Sequence, residues 1–176
     1  MNAPPHMVAE IIDGDLLLSP RPAPRHANTE SAIAAVLKGP FHWGTNGPGG
    51  WVILVEPELH FFPGGEREVV VPDLAGWRRE RLPEPPAVAA IEVRPDWVCE
   101  VISPSTESLD RAKKTRVYAR EGVSHLWLVN PVATTLEVYR LVGENWQLVD
   151  THEGEAEVRA EPFDALVLRL EQLWRW

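Results

Sequence analysis

The sequence predicts an α+β chain, a central mixed β-sheet flanked by helices, and three observations carry that prediction. Short apolar, β-branched runs recur between Pro- and Gly-rich turns, the pattern of strands. Only residues 26–38 and 103–120 have the stop signals and composition of substantial helices. The second of these lies between two buried-strand patterns, 97–102 and 126–129, so a strand–helix–strand crossover joins hairpins in the same chain.

Taken in order, residues 1–6 are polar with two prolines and are expected to form a loose terminus. Residues 8–12 and 16–18 flank Asp13-Gly14, which marks an N-terminal β-hairpin. Prolines at 20, 22 and 24 hold residues 19–24 extended. A helix from His26 to Lys38 stops at Gly39-Pro40. Residues 51–55 and 58–62 read as strand broken at Pro57, Pro63-Gly64-Gly65 turns the chain, and residues 69–71 lead into Pro72-Asp73. Residues 78–95, with four prolines, read as irregular. Residues 97–102 read as a central strand, and Ser103 to Thr106 opens a helix that runs to about Arg120, with Gly122 as its C-cap. Residues 136–141 and 146–149, around Gly143-Glu144-Asn145, form a C-terminal β-hairpin extension, and residues 166–176 supply a strand and a short helix.

At 176 residues the chain is expected to be one domain, 1–176, large enough to fold without disulfides or a structural metal. Cys99, the single cysteine, lies in an apolar run and reads as a buried inert thiol. No charged-then-apolar leader opens the chain and no run approaches a membrane span, so a soluble cytoplasmic protein with no membrane partner is expected. The net charge of -9 argues against strong non-specific nucleic-acid binding. Residues 78–81 and 111–120 nonetheless hold eight of the 17 basic residues, which leaves room for a basic face on an acidic protein.

Glu100 is the oddity. It interrupts the run Trp97-Val98-Cys99-Glu100-Val101-Ile102, and a buried carboxylate needs a partner or a metal. Asp73 is comparable, between Val69-Val70-Val71 and Leu74-Ala75. Two carboxylates at the ends of neighbouring apolar strands suit Mg²⁺, which takes one or two carboxylates and leaves its other positions to water and phosphate. Asp110, Lys114 and Tyr118 follow at i, i+4 and i+8 on the next helix, so a lysine can return to the strand end.

Pro72-Asp73, the run from Glu100 to Thr106, Asp110, Lys114, Tyr118, Gly122-Val123 and Leu126-Trp127-Leu128-Val129 resemble the bacterial Uma-type family of restriction endonucleases, within the PD-(D/E)XK nuclease superfamily. The resemblance spans nearly the whole chain, and residues 100–129 are its most specific part. It implies a restriction-endonuclease-like core, with Asp73 and Glu100 as ligands to Mg²⁺ or Mn²⁺ and the Val101 backbone carbonyl as a third. Lys114 stands in for the superfamily lysine two residues after the glutamate, where this chain has Ile102, and Lys113 is its rival.

Each residue also has a structural reading. Asp73 fits a turn cap, Glu100 a buried ion pair with an arginine such as Arg116, and Lys114 a helix ion pair with Asp110. His26 approaches the site or caps the first helix, Glu30 is a weaker candidate, and Glu58 lines the cleft or faces solvent. Tyr118 is expected to pack with its hydroxyl tied down. Of the eight tryptophans most belong in the core, and Trp174 and Trp176 suggest a docked tail or a subunit contact. The leading expectation is a metal-dependent endonuclease acting on DNA, as a homodimer. The alternatives are a non-catalytic interaction or regulatory protein of the same fold and a nuclease acting on RNA.

Overall fold

The computed structural model of the chain describes residues 6–103 and 109–176, apart from the side chain of residue 110. Strands β1 (Met7–Ile12) and β2 (Asp15–Pro20) precede helix α1 (Pro24–Leu37), which continues into a π-helical turn, Lys38–His42. Strands β3 (Trp51–Val55), β4 (Glu58–Phe61), β5 (Glu68–Val70), β6 (Leu74–Arg78), β7 (Ala90–Ile91) and β8 (Trp97–Val101) follow. A π-helical stretch, Leu109–Lys114, runs into α2 (Thr115–Arg120). Strands β9 (His125–Asn130), β10 (Thr135–Val142), β11 (Asn145–Glu153), β12 (Glu157–Val158) and β13 (Leu168–Arg169) lead to α3 (Glu171–Trp174).

Among the described residues these strands form three sheets: β11-β10-β9-β8-β6-β3, β2-β1-β5-β4-β7, and the small pair β12-β13. The crossover is present: β8 and β9 run parallel, with Glu100 opposite Leu128, while β6 pairs with β8 antiparallel. The six-stranded sheet is central. Trp97, Cys99 and Val101 of β8 join one core with α1, Phe41 and the C-terminal segment. Val98 joins the other core with the five-stranded sheet, Val117 and Tyr118. This is the period-two alternation of a strand buried on both faces.

One feature of the chain path positions the site. Strands β3 and β6 pair in the central sheet, with Val55 opposite Leu74, whereas β4 and β5 pair in the five-stranded sheet, with Leu59 opposite Val70. The four strands are therefore a long hairpin bent across both sheets. The bend falls at Glu56-Pro57 on one arm and Val71-Pro72-Asp73 on the other, pinned by the Glu56 amide donating to the Asp73 carbonyl at 2.8 Å. Glu56 takes a left-handed φ of 46° to make the corner. Asp73 owes its place to this bend.

The structure departs from the sequence reading at several points. Pro24 is not in an extended segment but is the first residue of α1, where its fixed φ and missing N–H suit the first turn. The second helix is π-helical before it is α-helical; of its expected opening at 103–106, Ser103 is not helical and 104–106 lie outside the described residues. In the two segments expected to form a basic face, four arginines are ion-paired, while Arg79 donates to the His42 and Trp51 carbonyls and Arg78 lies over the Trp51 ring. Arg111 makes a bidentate pair with Glu137 (2.9 and 2.8 Å), Arg116 meets Asp13 at 2.9 Å, and Arg120 meets Glu68. Arg81 pairs with Asp96. The tail is docked: Thr29 Oγ1 of α1 donates to the Leu173 carbonyl and Trp174 Nε1 donates to the Gly154 carbonyl. Trp176 stays exposed.

Aromatic rings knit the first core, with the Phe163 ring 4.8 to 5.6 Å from those of Phe41, Trp51, Trp97 and Trp127. Gly76 of β6 sits beneath two of them, and an added Cβ would stand 3.0 Å from Trp97 and 3.3 Å from Trp51. Gly76→Ala is expected to lower stability by about 1–3 kcal/mol through overpacking, read from the urea midpoint.

Candidate active-site cleft

A cleft of about 350 Å³ opens where the bent hairpin, the end of β8 and the starts of α1 and α2 meet. Helix α1 buries His26, Thr29, Glu30, Ile33, Ala34 and Leu37, the helical spacing of one face. His26 and Glu30 are therefore one turn apart on the side that packs inward. His26 Nε2–H donates to Asp73 Oδ1 at 2.8 Å, and the Val101 amide donates to Asp73 Oδ2 at 2.6 Å. Asp73 thus ties α1 to the end of β8.

His26, Glu30 and Asp73 each offer a ligand atom, and these atoms lie within 4.8 Å of one another. Among the described residues Glu30 Oε1 is buried without a hydrogen-bond partner, which costs free energy in this low-dielectric setting. Burial pushes the Glu30 carboxyl up to about 7; the negative charges of Asp73 and Glu56 add to the rise and His26 opposes it. The donor set, one imidazole nitrogen and two carboxylates, fits a divalent cation.

On the other side of Asp73, Glu100 is 1% exposed. Its Oε2 accepts from Lys114 Nζ at 2.9 Å and its Oε1 accepts from the Tyr118 hydroxyl at 2.5 Å. Lys114 is 4% exposed, donates to the Val71 carbonyl at 2.9 Å and stands 3.4 Å from Glu10 Oε1. Glu10 in turn accepts from the Val71 amide at 2.8 Å. Lys114 is thus the lysine that returns to Glu100, whose cationic partner is a lysine rather than Arg116. Asp110's side chain lies outside the described residues.

The remaining sequence candidates fall as follows. Glu58 does not line this cleft: its Oε1 accepts from His60 Nε2–H at 2.5 Å, and it lines a neighbouring cavity. The acid from that arm of the hairpin that enters the cleft is Glu56. Val101 meets Asp73 through its amide, which leaves its carbonyl untested as a ligand. Cys99 is fully buried, and desolvation holds its thiol well above the ordinary range. Glu10 and Glu56 were missed. Glu10 carried a usable signal, a carboxylate inside the apolar strand Met7–Ile12, but no local signal marks Glu56.

A raised carboxyl binds its proton more tightly in the folded state. Its stabilising contribution is therefore present at acid pH and is lost as pH rises from about 4.5 to about 7. In metal-free buffer, Glu30→Gln should match the wild type in urea midpoint at pH 4.5 and exceed it at pH 8. Equal midpoints at both pH values would contradict the raised carboxyl.

The fold and chain-wide sequence pattern have counterparts among known proteins. The crystal structure of a "putative nuclease belonging to DUF820" from Anabaena variabilis is similar over 96% of this chain and 90% of that chain, with a TM-score of 0.69 and 24% identity. The architecture is accordingly restriction-endonuclease-like, a mixed α+β fold. No curated protein matches the chain. The family model Uma2, described as "Putative restriction endonuclease", matches residues 3–171, and the chain belongs to that family.

Proposed function

We propose that the cleft hydrolyses phosphodiester bonds of DNA with Mg²⁺ or Mn²⁺ held by His26, Glu30 and Asp73, Glu100 and the Val101 carbonyl completing the set. The observation that carries this reading is convergence. Three ligand-capable groups lie within 4.8 Å of one another, and two of them, His26 and Asp73, line the same cleft as Glu100 and Lys114. The orphaned Glu30 oxygen gives a cation a ready partner. When bound, such an ion lowers the pKa of a water and offsets charge on the phosphate.

The chain's own residues orient and stabilise. The Val101 amide fixes one Asp73 oxygen, leaving the carboxylate aimed between α1 and β8. The ammonium of Lys114, buried and held by Glu100 and the Val71 carbonyl, offsets the charge that builds as a water oxygen bonds to phosphorus. The bond to the leaving oxygen then breaks, and that oxygen takes up the proton that the attacking water gives up. Tyr118 locks Glu100, so the lysine cannot drift from its place. A non-catalytic reading draws on one observation: both Glu100 oxygens are already met by protein donors, as in a purely structural ion pair.

Cleavage of plasmid and oligonucleotide DNA in Mg²⁺ or Mn²⁺, with a chelator control, separates the two. Lys114→Ala is expected to lose cleavage and, because Glu10 and Glu100 are left buried without their cation, about 3–5 kcal/mol of stability. Lys114→Arg, which keeps the charge but changes its shape, should fold and cut at least 100-fold more slowly. Lys113→Ala should cut like the wild type. Loss of cleavage in Lys113→Ala but not in Lys114→Arg would reverse the assignment, and no metal-dependent cleavage of any substrate would favour the structural ion pair.

A further inference from the structure

We propose that the cleft continues into a trough that takes a single-stranded nucleic acid, with Arg21 and Arg67 gripping backbone phosphates beyond the metal-binding groups. The inference rests on the nuclease reading and adds the strandedness of its substrate.

The trough is formed by two cavities. The catalytic cleft of about 350 Å³ and its neighbour of about 330 Å³ share Val8, Arg21, Glu56 and Val71 as walls. Each is of small-ligand size, about 300–1,000 Å³. Arg21 stands on the shared wall. Its backbone is held between Pro20 and Pro22 and by its amide donating to the His6 carbonyl at 3.2 Å, while its side chain is 55% exposed. Its one ion pair, with Glu56, is long at 3.5 Å, and such an exposed pair is worth about 0–1 kcal/mol. A phosphate, which guanidinium binds through two parallel hydrogen bonds, can replace it.

Arg67 lines the outer cavity. Its Nη2 donates to His60 Nδ1 at 3.1 Å, so His60 carries its proton on Nε2 and gives it to Glu58. His60 is 4% exposed, and its bond holds the Arg67 guanidinium at the outer cavity. Val8 and Val71 also line the cavity and add apolar surface for sugar and base.

Charge elsewhere argues against a duplex. Tracking two backbones needs a broad basic surface, yet Arg81, Arg111 and Arg120 are held by part-buried carboxylates of the fold, and the chain carries a net charge of -9. Glu56 and Glu58 also line the trough, so only phosphates that touch the guanidiniums are favoured.

The test is fluorescence anisotropy of labelled 12-nucleotide DNA, the same sequence as RNA, and the DNA duplex, in Ca²⁺ at 50–200 mM KCl, followed by cleavage of each probe in Mn²⁺. A single strand should bind more tightly than the duplex, and about two neutralised phosphates give a slope of log K against log salt near -1.4. Arg21→Ala and Arg67→Ala should each weaken binding about tenfold and reduce that slope by about 0.7. The DNA and RNA arms identify the preferred sugar. Tighter duplex binding with a steep slope untouched by either substitution, or no binding of any probe, overturns the trough. Duplex cleavage alone would overturn the trough and keep the nuclease, whereas single-strand binding without cleavage would keep the trough and remove the nuclease.

Discussion

The structure depends on the crowding of carboxylates around one buried lysine. Glu10, Glu30 and Glu100 are each at most 6% exposed, and Glu10, Glu100 and Asp73 share a cleft with Lys114, the buried ammonium. Charges this deep are costly unless paired. Lys114 answers part of the excess by bonding Glu100 and the Val71 carbonyl while standing beside Glu10. It thereby joins β1, the bent hairpin, β8 and the second helix at a single point. His26 answers another part through Asp73. The Glu30 oxygen is left over, with its carboxyl pushed up to about 7 by burial and its acidic neighbours. A fold that leaves negative charge uncompensated in a cleft has arranged for a cation or for a proton.

The bend of the long hairpin explains why this crowding falls where it does. A flat hairpin would keep β3 to β6 in one sheet. Passing from one sheet to the other instead brings Glu56, Val71 and Asp73 to a common edge, with Glu10 of the N-terminal hairpin facing Val71. The N-terminal hairpin is thus part of the site's wall. Helices approach from opposite faces of the central sheet, α1 with His26 and Glu30, α2 with Tyr118 just after Lys114.

Local signals made much of this legible. Asp13-Gly14 has the left-handed φ values of 53° and 80° that a two-residue turn requires, and Gly122, at 73°, closes α2. Glu100 stood out because its neighbours demand burial, and the same argument applied to Glu10 would have found it too. Glu30 follows from His26 by one helical turn, but its importance depends on what α1 packs against. Glu56 and the fate of the basic segments were not readable at all. The first depends on a corner between sheets, the second on acids such as Glu137 and Glu68 that are distant in sequence. The register that brings Lys114 rather than Lys113 inward passes through a π-helical stretch, which simple 3.6-residue counting does not describe.

We propose that the uncompensated charge belongs to a divalent cation. Mn²⁺ titration of the purified protein, followed by electron paramagnetic resonance and calorimetry beside Asp73→Asn, tests it without reference to any substrate. The wild type is expected to bind saturably, and the variant to remain folded but lose at least tenfold in affinity. Absence of binding at millimolar Mn²⁺, or equal binding by Asp73→Asn, would contradict it and leave the carboxylates as a structural ion-pair network.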